Sequence, residues 1–258
     1  MSKSLGLAVI HGMGSQRGKA FADPLIQELE SRVNQPGKIA WRRIFWADVL
    51  SAREDRYLKA ANCNNDLDFF TLRCFVVSAL GDASAYQRVD EDAKGAYGRI
   101  HAIVRDEIAA PREELDSDEA RLVILAHSLG GHIISNYIWD IQKKDPVVEP
   151  GENHVERIRT QAGLVAFGCN IPLFSFALNK ILPIPLPKGA RSRNFFDPDD
   201  VLGYPLKPLS QEYRRTVSRD IAINVGGIAA NRNPLSNSEY WTDNDFTKPV
   251  ARLLDGLV

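Results

Sequence analysis

The sequence predicts an α/β fold, a mostly parallel sheet flanked by helices, and three observations predict it. Short apolar runs of strand length alternate along the chain with segments of helical periodicity. At residues 121–143 one such run, Leu122 to Ala126, passes directly into Ile133, Ile134, Tyr137, Ile138 and Ile141, whose spacings of one, three and four mark a largely buried helix. The 258 residues, 44% hydrophobic and 25% charged, suffice for a large core in a single domain spanning 1–258.

Taken in order, the strand candidates are Leu5 to Ile10, Ile39 to Trp46, Leu122 to Ala126, Gln161 to Phe167, Ser192 to Phe196 and Ile221 to Val225. Helices are expected between them at Pro24 to Val33, about Ala83 to Ala109, Gly130 to Lys143 and near Val250 to Leu257. Pro111 to Glu119 and Asp145 to His154 read as charged connectors. Two segments fit this alternation poorly. The first, within 49–80, is polar in its middle and apolar at Phe69, Phe70, Phe75, Val76 and Val77; the second, 171–187, interleaves Leu, Phe and Ile with four prolines. Each follows a strand and so emerges at the carboxyl edge, where open α/β sheets hold ligands. Both are read as cap segments lining an apolar pocket, against the alternative of peripheral packing or a dimer surface.

Charge and cysteine content exclude several classes. A formal net charge of −1 gives no electrostatic reason to expect nucleic acid or an anionic membrane as partner. Cys63, Cys74 and Cys169 match no zinc spacing or disulfide framework, so they are expected to be reduced, mostly buried thiols, with no metal. The apolar run Leu5 to Ile10 is too short for a signal segment, and no stretch approaches the roughly 20 apolar residues of a membrane span. The expectation is a cytoplasmic protein without a cofactor.

Arg-Leu-Val-Ile-Leu-Ala-His-Ser-Leu-Gly-Gly at 121–131 places Ser128 between the buried run and the helix, the layout of a nucleophile elbow. A serine on so sharp a turn is lifted clear of its neighbours, and small residues two before (Ala126) and two after (Gly130) let the turn close. The helix that follows aims its first N–H groups at the serine, and that of Leu129 is positioned to help hold an oxyanion. The string alone arises by composition in roughly one chain in five of this length, so its weight comes from the flanking strand and helix. The competing reading is an ordinary junction with a capping serine.

Two chemistries compete for the first loop, His11-Gly12-Met13-Gly14-Ser15-Gln16-Arg17-Gly18-Lys19-Ala20. A phosphate loop needs a hydroxyl after Gly-Lys, where Ala20 stands, and a glycine five before Gly18, where Met13 stands. A dinucleotide Gly-x-Gly-x-x-Gly reading fails at Arg17. Nucleotide binding is the weaker reading. The other chemistry is an oxyanion loop.

With Val-Ile-His-Gly-Met-Gly at the start and Ala-His-Ser-Leu-Gly-Gly at 126–131, the chain resembles the α/β-hydrolases of the lipase and esterase type. The likeness covers the whole chain as strand and helix order, and only the two loops are specific. It implies that the N–H groups of Met13 and Leu129 form the oxyanion hole, with His11, Gly12 and His127 supporting the loops. It also implies a triad in the order serine, acid, histidine. Ser192 to Phe196 leads into Asp197-Pro198-Asp199-Asp200, which resembles the family's acid loop; Asp200 is favoured over Asp197, and a solvated turn is the plain alternative.

The chain departs from that family at the base. His11, His101, His127, His132 and His154 all precede the acid loop. Asn237, in Pro-Leu-Ser-Asn-Ser-Glu-Tyr-Trp before the last helix, looks like the replacement of the expected histidine, and an amide cannot act as a general base. Three explanations stay open: a site intact in shape but disabled, by drift or deliberate substitution; His132 or His154 serving instead; or a base loop placed elsewhere. The expected function is a serine hydrolase acting on a small carboxylic ester with an apolar part, impaired as the sequence stands. The alternatives are a non-catalytic ligand-binding protein on the same fold and, further off, a nucleotide-binding protein. The sequence does not set the oligomeric state.

Overall fold

The computed structural model describes residues 2–14, 18–65, 67–88, 95–225 and 236–258, without the side chains of Asn64 and residues 236–238. Six strands form one sheet: β1 (Leu5–Ile10), β2 (Ile39–Ile44), β3 (Arg121–His127), β4 (Gln161–Phe167), β5 (Arg191–Phe196) and β6 (Arg219–Ala222). Their order is β2-β1-β3-β4-β5-β6 and every pairing is parallel. β3 is therefore central, paired with β1 through Ile10 opposite Ala126 and with β4 through His127 opposite Phe167.

Alternation along the strands splits the core in two. Leu7, Val9, Val123, Leu125, Val165 and Phe167 face α1 (Asp23–Arg32) and α8 (Asn244–Asp255), burying Leu25, Leu29, Phe246, Val250 and Leu254. Ala8, Ile10, Leu122, Ile124 and Ala126 face α4 (Ala96–Ala109) and α5 (Leu129–Lys143), against Ile100, Val104, Ile133, Ile134 and Ile138. With helices over both faces, β1 is buried at all six residues, as a parallel sheet requires.

Several sequence expectations shift for identifiable reasons. β2 ends at Ile44 and does not reach Trp46, because the Trp46 N–H turns away to the His11 imidazole at 3.1 Å. The long helix expected over 83–109 is replaced by α3 (Phe70–Ala85) and α4, which starts only at Ala96. Tyr86 leaves helical geometry at the end of α3, and its buried ring stacks on Tyr97 at 4.9 Å while its hydroxyl meets His101 Nε2 at 2.7 Å. β6 lies two residues earlier than expected, and α8 begins at Asn244 because the Asp243 side chain caps the Asp245 N–H.

Cys63 is exposed, Cys74 half-buried and only Cys169 buried, which corrects the expectation of mostly buried thiols; none is in a disulfide. Cys63 and Cys74 stand on a helical hairpin, α2 (Ser51–Asn65) and α3, and its faces are only partly covered. No described helix is long and apolar enough to cross a membrane.

Of the two irregular segments, 49–80 is thus largely this hairpin. Residues 171–187 begin with the short α6 (Ile171–Ser175) and continue as a strap over α5. A cavity of about 230 Å³ lies between them, lined by His132, Trp139, Phe174, Leu178, Leu182 and Tyr213 among others; Ser128 is not in its wall.

Candidate functional site

Everything at the candidate site is arranged around the junction of β3 and α5. Ser128 adopts φ 50° and ψ −123°, a conformation that side chains rarely take, and α5 starts at the next residue. Sterics require this turn to be lined by glycine. A methyl group at Gly12 would stand 2.5 Å from Ser128 Cβ and 3.1 Å from Oγ; one at Gly130 would stand 2.6 Å from the His11 carbonyl oxygen. The end of β1, the serine and the first turn of α5 thus pack backbone to backbone.

Ser128 is buried, and its Oγ makes no hydrogen bond among the described residues. No histidine is bonded to it. The N–H of Leu129, first in α5, and that of Met13 likewise have no acceptor among the described residues, whereas the Gly14 N–H donates to Asp82 Oδ2 at 2.9 Å.

His11 is a structural pin for the first loop. Its Nδ1–H donates to the Gly12 carbonyl at 2.7 Å and its Nε2 accepts the Trp46 amide at 3.1 Å, which requires the neutral ring in one tautomer. The ring stacks on Trp46 at 4.8 Å, and burial lowers its pKa to about 3. His127 packs its ring against Phe167 at 4.9 Å and Trp241 at 5.0 Å.

The backbone makes an elbow. No protein-family model matches the chain, and no curated protein matches it. Among solved structures it is similar to a dienelactone hydrolase from Anabaena variabilis, at 12% identity over 99% of this chain and 85% of that one, with a TM-score of 0.45. It is also similar to a structure described for LipS and LipT, two metagenome-derived lipolytic enzymes, at 10% identity over 87% of this chain and 85% of that one, with a TM-score of 0.40.

The loop of Asp197 to Asp200, expected from the sequence to carry the acid, follows β5, two strands from the elbow. Both aspartates are buried, and their partners differ. Asp197 is used by the backbone: Oδ1 accepts the Asp199 N–H and Oδ2 the Val225 N–H, each at 2.8 Å. Asp200 accepts the Leu202 N–H at 2.9 Å on Oδ1 and the Tyr240 hydroxyl at 3.1 Å on Oδ2. That hydroxyl in turn accepts the Asp197 N–H at 2.8 Å.

Tyr240 and Trp241 belong to a 3-10 helix, Ser236–Thr242, which also carries Asn237; the Asn237 side chain lies outside the described residues. With three residues per turn, position 237 stands one turn before Tyr240 in that helix. Through Tyr240 on Asp200 and Trp241 on His127, the fold brings this helix between acid loop and elbow.

The two other histidines considered as bases are engaged elsewhere. His132 stacks on Phe174 at 4.5 Å, lies 3.2 Å from the Asn136 side-chain nitrogen, and burial lowers its pKa to about 4. His154 pairs with Glu119 at 2.6 Å on the surface. Sequence reasoning gave no role to Asp82, whose contact with Gly14 spans 68 positions and has no local signature.

Proposed function

We propose that this chain carries a serine-hydrolase site of the α/β-hydrolase kind whose base position is occupied by asparagine. Ser128 is the nucleophile, Asp200 the orienting acid, and the N–H groups of Met13 and Leu129 the oxyanion hole. The single observation that carries this reading is the Ser128 backbone, which bends between a central parallel strand and a helix with its hydroxyl set against Gly12. The substrate class is a small carboxylic ester with an apolar part.

In such a site the serine oxygen attacks the ester carbonyl as a base takes its proton. The charge that develops on the carbonyl oxygen is held by the two backbone N–H groups. The 237 position suits the base, because its helix is bonded to the buried Asp200 through Tyr240. An amide there accepts no proton, so the chain binds the ester and turns it over slowly. In serine hydrolases, loss of the base costs about a millionfold in turnover, while roughly a thousandfold over water persists from oxyanion hole and binding.

Asn237→His tests this. Hydrolysis of a p-nitrophenyl ester is expected to rise by at least about a thousandfold, with fluorophosphonate labelling that disappears when Ser128→Ala is added. No rise would mean that the base position is elsewhere or that the site does no chemistry.

A second reading, a binding protein without chemistry, is favoured by the enclosed Ser128 hydroxyl, which has no hydrogen-bond partner among the described residues. It predicts that apolar esters bind the unaltered chain while Asn237→His remains inactive.

A further inference from the structure

The α2–α3 hairpin presents an apolar face to solvent. Phe69, Leu72, Val76 and Leu80 recur at spacings of three and four and so form one stripe; Tyr57 of α2 and Phe75 flank it. Phe69 is 79% exposed, Tyr57 64% and Leu80 62%. From side-chain sizes these six residues expose roughly 600 Å² of mainly apolar surface. That equals the largest patch ordinarily found on a monomer, about 300–600 Å². With its polar rim it approaches the roughly 800 Å² that each partner contributes to a stable interface.

Within the patch a knob stands beside a hole. Phe69 sits at φ 54° and ψ 38°, a left-handed conformation rare for a bulky aromatic residue, and it projects from the turn that opens α3. The Arg73 guanidinium fixes this turn by donating from Nε to the Asp68 carbonyl at 2.8 Å. Phe69 forms one wall of a groove of about 300 Å³, lined also by Tyr57, Leu58, Ala61, Leu72, Val76 and Arg73 among others. An apolar space of about 150 Å³ already holds a benzene ring.

We propose that this hairpin is a self-association surface, through which two copies of the chain form a two-fold dimer with Phe69 of each copy seated in the groove of the other. A two-fold interface uses the same patch twice, so knob and hole must lie on one surface, as they do here. Charge agrees: exposed Asp68 precedes the knob and Arg73 lines the groove, so insertion of Phe69 carries the Asp68 carboxylate to the Arg73 of the other copy. A lipid-binding patch would be rimmed by one sign of charge. The exposed charges that neighbour the patch residues in sequence are of both signs, Arg53, Arg56, Lys59 and Arg73 with Asp55 and Asp68.

Sedimentation equilibrium of the full chain tests the proposal, with twice the monomer mass expected at micromolar concentration. Phe69→Gly removes the knob while suiting the left-handed backbone, so a folded variant is expected whose dimer dissociation constant is at least about 30-fold weaker. Asp68→Arg and Arg73→Asp are each expected to be monomeric alone and to pair when mixed, because only the mixed dimer matches both charges. A chain that stays monomeric at 100 μM, or a dimer that Phe69→Gly leaves intact, overturns the proposal. So does a monomer that uses this face to bind vesicles of phosphatidylcholine and phosphatidylserine.

Discussion

The Tyr240 hydroxyl donates to the Asp200 carboxylate at 3.1 Å, joining residues 40 positions apart. The same oxygen accepts the Asp197 N–H, so one buried phenol holds the loop of Asp197 to Asp200 against the helix that contains position 237. Tyr240→Phe leaves that N–H without its acceptor in the interior. A loss of about 1–3 kcal/mol is expected in urea unfolding. In an Asn237→His background the same change is expected to lower ester turnover; unchanged turnover would separate Tyr240 from the site.

Ser128 holds a strained backbone that glycine adopts freely. Ser128→Gly is therefore expected to stabilise the fold by about 1 kcal/mol while removing the proposed nucleophile. Thermal melts check this, and a destabilised variant would show that the serine side chain contributes more to packing than its backbone costs.

Gly130 has no space for a methyl group, since the His11 carbonyl oxygen would be 2.6 Å from it and Ile10 Cγ2 3.1 Å. Gly130→Ala is expected to cost about 1–3 kcal/mol and to push the first loop from the elbow. A Gly130→Ala protein as stable as the unaltered chain would mean that the strand and helix separate easily.

Stability at mildly acidic pH is set by two opposed groups. Burial lowers His11 and His101 to about 3 and His132 to about 4, so the stability they contribute is present above pH 6.5 and lost as pH falls toward those values. Burial raises Asp82 to about 6, and burial with the charge of Asp82 raises Glu54 to about 7; their contribution is present below about pH 4 and lost as pH rises through 6 to 7. Near pH 5.5 unfolding then takes up about three protons on histidines and releases about two from the carboxyls, a net uptake of about one. Asp82→Asn keeps an acceptor for the Gly14 N–H and removes one opposing proton. Its stability is expected to fall more steeply between pH 6.5 and 5, with net uptake of about two protons. Denaturant midpoints across that range decide it; a slope equal to that of the unaltered chain would remove Asp82 from this balance.

Much of the fold is legible in the residues because it depends on local pattern. β1 and β4 match their apolar runs residue for residue, and α5 begins within one residue of expectation. Two of the misplaced boundaries are decided by a distant partner. Trp46 leaves β2 for the ring of His11, and Tyr86, bonded to His101, ends a helix that the sequence reading extends to Ala109. In α3 the apolar run Cys74 to Val77 stands beside the stripe of Leu72, Val76 and Leu80, so periodicity alone does not distinguish it from a buried run.

By itself, the sequence determined that strands alternate with helices and that Ser128 lies on an elbow, because both follow from the order of neighbouring side chains and from glycines beside the turn. Only the tertiary structure decided that Tyr240 joins Asp197 and Asp200, that His132 and His154 have partners of their own, and that Phe69 is left standing in solvent. Those outcomes depend on groups tens to hundreds of positions apart, brought together by burial of the sheet between its two helical layers.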